Sequence, residues 1–401
     1  MKTQHQTIII PGRENSIVVD FVNRAVVGVE NSKLPTIKFP TYSRDDLLNL
    51  YKTRKSSRKN LQIWIFLTYD CNFNCTYCIQ QKSKCWDIPS SISKHPFLPS
   101  NINLLIQFIK RQIRDETESL EVVFFGGEPL LEINTIKQII YDLTRSISIS
   151  KSFSIITNGA LWPCITDDQL LQVKNIQITI DGTREIHDIR RTSPSYRSTY
   201  ETIINKLSWI IKNMPDTEIQ IRINVDKENK QFIPDFLRSE PILHHSGVTL
   251  DIARTKPNDS PHDLAILSER EFSYFFAEIL DVALSEKIVV IPPNMGTCSL
   301  CIENTYYISP DNLIYRCPQL VGYKEHAIGT LSTVKDFGDN GCYPVDDTCI
   351  TCSLFYYCFG RCKFDFIVGN TNRLRACPAV YRERNITNYY SYKYNAYLQG
   401  G

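Results

Sequence analysis

Three cysteines lie close together in the segment DCNFNCTYC, where Cys71, Cys75 and Cys78 are separated by three and then two residues. The segment directly follows a β-rich run, so we expect it to form a loop at the end of a strand. Thiolate sulfur is a ligand of zinc and of iron–sulfur clusters. Structural zinc sites usually close with four ligands. Three thiolates on one loop instead fit a cubane cluster whose fourth iron is left for a small molecule.

Most of the other cysteines lie near the C-terminal end of the sequence. Of 14 cysteines, nine fall between Cys298 and Cys377. In a large chain without an export signal, clustered cysteines are expected to bind metal rather than to form disulfides. One group is CSLC followed by Cys317, and the other is CITCSLFYYCFGRC followed by Cys377. A pair of zinc sites is the alternative to iron–sulfur clusters, and iron content distinguishes the two.

The composition of the chain is that of an ordinary globular protein. The 401 residues are 42% hydrophobic and 22% charged, and the formal net charge is +2. This balance predicts neither a nucleic-acid nor a membrane partner. We find no apolar run of the roughly 18 residues that a transmembrane helix needs. The first residues, MKTQHQTIIIPGRENS, lack the regions of a signal peptide, so we expect a cytoplasmic protein.

Residues 61–285 alternate between β-rich runs and amphipathic segments with helical spacing. The amphipathic segments are INLLIQFIKRQIRD, INTIKQIIYDL, YETIINKLSWIIKN and SERE followed by FSYFFAEILDVAL. The β-rich runs are LQIWIFLT, EVVFFGG, SFSIITNG, NIQITIDG, EIQIRINVD and VTLDIA. This alternation predicts an α/β fold with a partial (β/α)6 TIM-type barrel, whose chemistry collects at the C-terminal ends of the strands. A flat doubly wound sheet is the alternative.

Changes of pattern divide the chain into four predicted parts. Residues 1–60 are an N-terminal β-hairpin and helix segment, and residues 61–288 are the barrel. Residues 289–385 are a loop-rich C-terminal iron–sulfur domain, and residues 386–401 are a helical tail. The hairpin is expected around residues 11–15, and the helix N-cap near Ser43 or Asp45. The basic run at residues 52–59 is either a solvated linker or a docking strip for an acidic peptide.

Together with the cysteine segment, four further motifs in order resemble the radical S-adenosylmethionine (SAM) superfamily over roughly residues 61–380. They are FFGGEPL, TNG, ITIDG and HDIRR. The resemblance implies that Cys71, Cys75 and Cys78 hold a [4Fe-4S] cluster and that SAM binds its open iron. It also implies reductive cleavage of SAM to methionine and a 5′-deoxyadenosyl radical, which abstracts a hydrogen from the substrate.

The resemblance further implies which residues contact SAM. Glycines let the backbone of the GGEP segment approach a ligand closely, and this segment is expected near the methionine amino group. Tyr77 is expected near the adenine, Thr179 and Asp181 near the ribose, and Arg222 near the carboxylate. The predicted SAM site comprises Tyr77, Gly126, Gly127, Glu128, Pro129, Asn158, Thr179, Asp181, Arg191 and Arg222. The sequence does not predict which residues act on the substrate.

The C-terminal cysteines resemble the SPASM extension of radical SAM enzymes, which binds two auxiliary [4Fe-4S] clusters and brings the expected total to three. The resemblance assigns auxiliary cluster I to Cys298, Cys301, Cys317 and Cys362, and auxiliary cluster II to Cys349, Cys352, Cys358 and Cys377. If one of the first two cysteines does not bind, an iron of cluster I is open to substrate. Asn312 replaces a family glycine, and Asn tolerates a left-handed backbone. We expect Cys85, Cys164 and Cys342 to be buried apolar thiols.

SPASM enzymes mostly modify side chains of peptides or proteins. We therefore expect a maturase that installs a thioether or carbon–carbon cross-link, or another modification, in a ribosomally made precursor peptide. One alternative is formylglycine formation in sulfatases, but that branch carries an Asp after the cysteine that matches Cys317. Pro318 stands there in this chain and cannot accept a proton through its side chain. The other alternative is a non-catalytic iron–sulfur sensor or electron carrier, which has no need of a SAM site.

The resemblance also implies partners. Related maturases often capture the leader of the precursor peptide on a sheet edge, and residues 1–60 are a candidate for that role. Reduction of the cluster implies a ferredoxin or flavodoxin as electron donor.

Overall fold

The structure is a computed structural model of the 401-residue chain. It describes residues 7–11, 14–22, 25–38, 40–56, 59–79, 96–256, 264–292, 298–301, 303–334, 347–350, 352–355, 364–367 and 379–399.

The helices and strands of the described residues are numbered here in chain order. The strands are β1 (Thr7–Ile10), β2 (Asn15–Asp20), β3 (Ala25–Glu30), β4 (Asn60–Phe66), β5 (Asn74–Cys75), β6 (Ser119–Phe125), β7 (Ser150–Thr157), β8 (Val173–Thr179), β9 (Arg191–Thr192), β10 (Glu218–Val225), β11 (Val248–Arg254), β12 (Thr305–Ile308), β13 (Leu313–Tyr315) and β14 (Gly329–Thr330). The α-helices are α1 (Arg44–Ser56), α2 (Ile102–Gln112), α3 (Ile133–Ser146), α4 (Arg184–Arg190), α5 (Thr199–Asn213), α6 (Ile233–Ser239), α7 (Glu269–Ser285), α8 (Asp347–Ile350), α9 (Phe364–Ile367) and α10 (Ala379–Leu398).

The six β-rich runs form one parallel arrangement in the order β11-β10-β8-β7-β6-β4. The four amphipathic segments are helices α2, α3, α5 and α7. In α2 the buried residues recur at helical spacing, which places Ile102, Leu105 and Ile109 on one face. The predicted α/β fold class is therefore confirmed. Because parallel strands share one direction, all their C-terminal ends lie at the same edge of the sheet.

The two faces of this sheet differ in polarity. On one face apolar side chains such as Ile63, Ile176 and Ile221 are fully buried in the main core. On the other face polar side chains, including Glu121, Gln177 and Gln220, border a cavity of about 400 Å³. In a doubly wound sheet helices cover both faces and the strands are apolar on both. The alternating pattern therefore argues against that alternative and is consistent with a curved, partial-barrel sheet.

The N-terminal residues form an antiparallel three-stranded sheet rather than a hairpin alone. The predicted hairpin is β1 paired with β2, and β3 adds on the far side of β2. Ile8, Ile17 and Val19 of this sheet share a buried cluster with Ile386 of α10. At the start of α1, Ser43 Oγ accepts from the N–H of Asp46, which confirms the N-cap near Ser43. The side chains at residues 51–58 lie outside the described set, so both interpretations of the basic run remain predictions.

The C-terminal region continues the main sheet instead of standing apart from it. Strand β12 pairs in parallel with β4, and β13 and β14 follow as antiparallel neighbours. Asn312, in the turn between β12 and β13, has a φ of 64°, the left-handed conformation expected for a family glycine. Helix α10 runs across the predicted boundary at residue 386 and packs against α7. None of the helices in the described ranges combines the length and apolarity required to cross a membrane.

Candidate functional site

The cysteine loop, defined here as residues 70–78, follows β4 at the C-terminal edge of the sheet. Within it, β5 pairs antiparallel with β9, so that Cys75 lies opposite Arg191. The N–H of Thr76 donates to the carbonyl of Arg190 at 3.0 Å. Ser193 Oγ donates to the carbonyl of Asn72 at 2.7 Å. The segment after HDIRR therefore fixes the backbone of the cysteine loop from one side.

The GGEP motif fixes the start of the same loop. The N–H of Gly127 donates to the carbonyl of Thr68, and the N–H of Glu128 donates to the carbonyl of Asp70, both at 2.8 Å. A Cβ on Gly126 would lie 2.5 Å from the Thr68 carbonyl oxygen, and one on Gly127 would lie 2.1 Å from that of Asp70. Both glycines are thus required by close approach to the chain's own backbone, a contact that the sequence analysis did not predict.

The carboxylate of Glu128 joins GGEP to the TNG motif. The side chain is fully buried. Its Oε1 accepts from the Leu130 N–H at 3.0 Å and from Thr157 Oγ1 at 2.6 Å, and its Oε2 accepts from the Asn158 N–H at 2.8 Å. Burial raises the pKa of Glu128, while these three donors lower it and stabilise the charged form. The described contacts therefore give Glu128 a bracing role, and Pro129 follows it as the buried first residue of a short 3-10 helix.

Asn158 connects Glu128 to the cysteine loop through hydrogen bonds. Its Nδ2 donates to Asn72 Oδ1 at 2.7 Å and lies 3.9 Å from Cys71 Sγ. Its Oδ1 accepts from the N–H of Ala160 at 3.0 Å. Three separate strand ends, those of β4, β6 and β7, are thereby tied together beside the thiols.

Replacing Glu128 by Gln is expected to lower the free energy of unfolding by about 2–3 kcal/mol. Glutamine offers one acceptor, so in either orientation its NH₂ group faces a protein donor that the carboxylate had satisfied. Glu118→Gln is the matched control, because Glu118 pairs with Lys59 at an exposed site. This substitution should lower the free energy of unfolding by less than about 1 kcal/mol. Chemical denaturation measures both. Equal effects of the two substitutions would contradict the bracing role.

The HDIRR motif builds a buried ionic network behind the loop. The Arg190 guanidinium contacts Asp226 at 2.7 Å, Glu228 at 3.0 Å and Asp181 at 3.5 Å. It also lies over the ring of Tyr77, 4.8 Å from the centroid. Arg191 NH1 donates to the hydroxyl of Tyr77 at 2.7 Å. Tyr77 is therefore fixed between two arginines, which restricts where its ring can face a ligand.

The ITIDG motif contributes Asp181, a fully buried carboxylate at the end of β8. Its Oδ1 accepts from the Asn224 N–H at 3.1 Å, and its own N–H donates to His187 Nδ1 at 3.3 Å. Burial, with the two neighbouring arginines, keeps the pKa of His187 well below its usual value, so the ring is neutral and can accept this bond. Thr179, two residues before Asp181, is also buried.

Arg222 lies in register with Thr179 on the neighbouring strand. Its NH1 contacts Asp251 at 2.6 Å and its Nε donates to Asn224 at 3.1 Å. Its charge is thus already paired within the protein, so a role toward the SAM carboxylate requires Arg222 to share its charge with Asp251.

The three thiols of the cysteine loop lie in or against the apolar core, with Cys75 inside it and Cys71 and Cys78 packed on it. Among the described residues no group of three or more Cys, His, Asp or Glu side chains is arranged to hold one metal ion. Burial raises the pKa of Cys71 to about 11 and that of Cys75 to about 12. Both are therefore neutral thiols until a bound metal deprotonates them.

The predicted auxiliary ligands are described only in part. Cys298 and Cys317 border one apolar cluster with Tyr307 and Tyr315, and Cys298 also borders a second cluster with Cys349. Cys352 packs against the cluster formed by the N-terminal sheet and α10. The side chain of Cys301 lies outside the described residues. Three other predicted ligands and two of the leftover cysteines lie wholly outside them: Cys358, Cys362 and Cys377, and Cys85 and Cys342. Cys164 is half-buried.

Several residues of the site were not predicted. Asn72 Oδ1 accepts from Asn158 Nδ2, the Asn224 N–H donates to the Asp181 carboxylate, and Asn229 Nδ2 donates to the carbonyl of Asp181 at 2.9 Å. Their positions on strand ends and loops were visible in the sequence. Their partners were not, because Asn158 and Asp181 lie in motifs many residues away along the chain.

The chain is similar to known iron–sulfur and AdoMet-binding proteins. The family described as 4Fe-4S single cluster domain matches residues 44–205. A cysteine-type anaerobic sulfatase-maturating enzyme of Clostridium novyi is 24% identical over 333 residues, covering 73% of this chain and 85% of that protein. The structure of anSMEcpe with bound AdoMet and Cp18Cys peptide aligns with a TM-score of 0.58 at 16% identity, covering 76% of this chain and 89% of that one.

Streptococcus suis SuiB bound to S-adenosylmethionine aligns with a TM-score of 0.57 at 10% identity, over 94% of this chain and 98% of that one. SuiB bound to precursor peptide SuiA aligns with a TM-score of 0.52 at 11% identity, over 92% and 96%. At these identities the structural matches support the fold. Together with the ordered motifs, their convergence on the cysteine loop and the sequence matches, they identify the chain as a radical SAM enzyme that resembles SPASM-type peptide maturases.

Proposed function

We propose that the protein is a peptide maturase that modifies a residue of a ribosomally made precursor peptide. The observation that carries this proposal is the convergence of GGEP, TNG, ITIDG and HDIRR on one three-cysteine loop. A cluster held by Cys71, Cys75 and Cys78 would supply the electron for cleavage of SAM, and the resulting radical would abstract a hydrogen from the peptide. An electron carrier without catalysis has no use for this arrangement around the loop.

Within this proposal the protein's own residues orient SAM and shield the site. The proposed SAM contacts are those of the sequence analysis other than Glu128, with Tyr77 fixed by two arginines and Asp181 fixed by Arg190, Asn224 and Asn229. We assign Glu128 to bracing, since its carboxylate already accepts three hydrogen bonds. Two further [4Fe-4S] clusters are proposed at the C-terminal cysteines, and a ferredoxin or flavodoxin as the reductant.

Peptide substrates are favoured because two of the similar structures contain peptides, Cp18Cys in anSMEcpe and SuiA in SuiB. The sulfatase-maturase alternative is kept because the Clostridium novyi relative carries that name. Pro318, directly after Cys317, counts against it. A cross-link between side chains is the modification that we propose.

The test is anaerobic reconstitution with iron and sulfide, followed by incubation with SAM, dithionite and a small peptide encoded beside the gene. We expect 5′-deoxyadenosine together with a peptide lighter by two hydrogens for each cross-link. An unchanged mass with deuterium incorporation would indicate epimerisation instead. Absence of 5′-deoxyadenosine from protein that holds its full iron content would overturn the enzyme proposal and favour a sensor or carrier.

We further propose that the leader of the precursor peptide binds as an added strand along β3. In the described residues β3 is an edge of its sheet, and Val26 and Val27 are 49% and 52% exposed. An exposed apolar edge strand is a template for strand addition. The Asn31 N–H donates to the Glu14 carbonyl, so by antiparallel alternation the N–H of Val26 points away from β2 and toward an added strand.

Val26→Pro is expected to weaken binding of the precursor peptide about tenfold, since it removes one outward donor and blocks close approach of a strand. Val26→Thr keeps the N–H and the β-branched shape, and should bind within about twofold of the unmodified protein. Fluorescence anisotropy with a labelled leader peptide measures both. Equal affinities for all three proteins would remove β3 as the leader site while leaving the catalytic proposal intact.

A further inference from the structure

The two adjacent arginines of HDIRR differ in their direct ion pairs. Arg190 contacts three carboxylates, those of Asp181, Asp226 and Glu228, within 3.5 Å. Arg191 is 7% exposed, yet within the described part of the chain no carboxylate lies within salt-bridge distance of it, and those of Asp181 and Glu128 act on it only from further away. Its Nε is buried without a hydrogen-bond partner there. Buried charges are normally paired, because removing an ion from water costs several kcal/mol.

Contacts with neutral groups determine where the Arg191 guanidinium lies. NH1 donates to the hydroxyl of Tyr77 at 2.7 Å, and the group lies over the ring of Phe73, 5.7 Å from its centroid. Tyr77 and Phe73 both belong to the cysteine loop. Together with the β5–β9 pairing, which sets Arg191 opposite Cys75, they direct the charge toward the thiols.

We propose that Arg191 is a positioning residue whose charge is the buried counter-ion of the thiolate-bound cluster and stabilises its reduced, more negative state. This inference rests on the proposed cluster at the cysteine loop. A direct anionic partner for Arg191 has two candidate sources, the thiolate-bound cluster and the carboxylate of SAM. The contacts with Tyr77, Phe73 and the Cys75 strand pair favour the cluster, because all three belong to the cysteine loop.

The test is a redox titration of reconstituted Arg191→Gln and Arg191→Lys, followed by electron paramagnetic resonance, with and without SAM. Without SAM, Arg191→Gln should lower the ratio of reduced to oxidised cluster at a fixed potential by about tenfold, which for one electron is about 59 mV. Arg191→Lys keeps the charge and should stay near the unmodified protein. Arg254→Gln is the control, because Arg254 is paired with Glu269 at 2.7 Å.

Each outcome bears on the inference. A shift in Arg191→Gln that Arg191→Lys restores supports it, whereas equal shifts in both would indicate a structural role for the guanidinium and overturn it. An unchanged potential with weaker SAM binding would assign the charge to the SAM carboxylate and also overturn it. Iron content is measured on each sample. If the proposed function were wrong, even the unmodified protein would assemble no cluster on this loop, and this result is distinct from those above.

Discussion

Replacing Cys75 by alanine is expected to abolish formation of 5′-deoxyadenosine from SAM and dithionite. Cys75 is buried at the centre of the cysteine loop, and its backbone is paired with Arg191. The substitution removes one of the three thiolates proposed to hold the cluster. Loss of a residue that only supports a metal ligand lowers metal affinity or activity roughly 10- to 100-fold. Loss of a ligand itself should therefore lower the yield of 5′-deoxyadenosine more than about 100-fold. Chromatographic quantification of 5′-deoxyadenosine measures this effect.

Cys164→Ala is the matched control for this experiment. Cys164 is a half-buried free cysteine that lies outside every motif of the site. It should retain the iron content and the rate of SAM cleavage of the unmodified protein. If Cys75→Ala kept both properties as well, the cysteine loop would not be the site of the chemistry.

Gly127→Ala is expected to lower the free energy of unfolding by about 3 kcal/mol or more and to impair cluster assembly. The added Cβ would lie 2.1 Å from the Asp70 carbonyl oxygen and 2.7 Å from that of Tyr69. These are backbone atoms, so no side-chain rotation can relieve the overlap. The start of the cysteine loop must move, and with it the position of Cys71. Denaturation of the metal-free protein measures the stability, and iron content after reconstitution measures the assembly.

Gly28→Ala provides the comparison, because an added Cβ there would meet Tyr394 at 3.6 Å, an ordinary contact. We expect a change in stability within about 0.5 kcal/mol. If Gly127→Ala were equally mild and assembled its cluster normally, then the close approach of GGEP to the cysteine loop would be unimportant for the site.

Local patterns predicted the elements well. The six parallel strands of the main sheet between residues 60 and 254 and the four amphipathic helices follow from side-chain periodicity, because burial of one face requires a repeat of two or about 3.6 residues. The N-cap at Ser43 and the left-handed Asn312 likewise follow from the chemistry of single residues. Each of these features depends on neighbours within a few positions along the chain.

Long-range contacts were predicted less well. The third N-terminal strand, β3, was missed because its sequence, AVVGVE, lacks a clear alternation of polar and apolar residues. The pairing of β5 with β9 involves two residues on each side and joins segments more than a hundred positions apart, so no local signal marks it. The glycines of GGEP were expected to approach a ligand, whereas the structure places them against Thr68 and Asp70.

By itself the sequence determined the order of the motifs, the alternation of strands and helices and the residue types available for chemistry. Only the tertiary structure decided that Arg190 is surrounded by carboxylates while Arg191 beside it is not, and that Glu128 braces two strand ends. Adjacent residues on a chain share a sequence context but point in different directions. The charges that surround a side chain are therefore set by distant segments, and these come together only when the sheet forms.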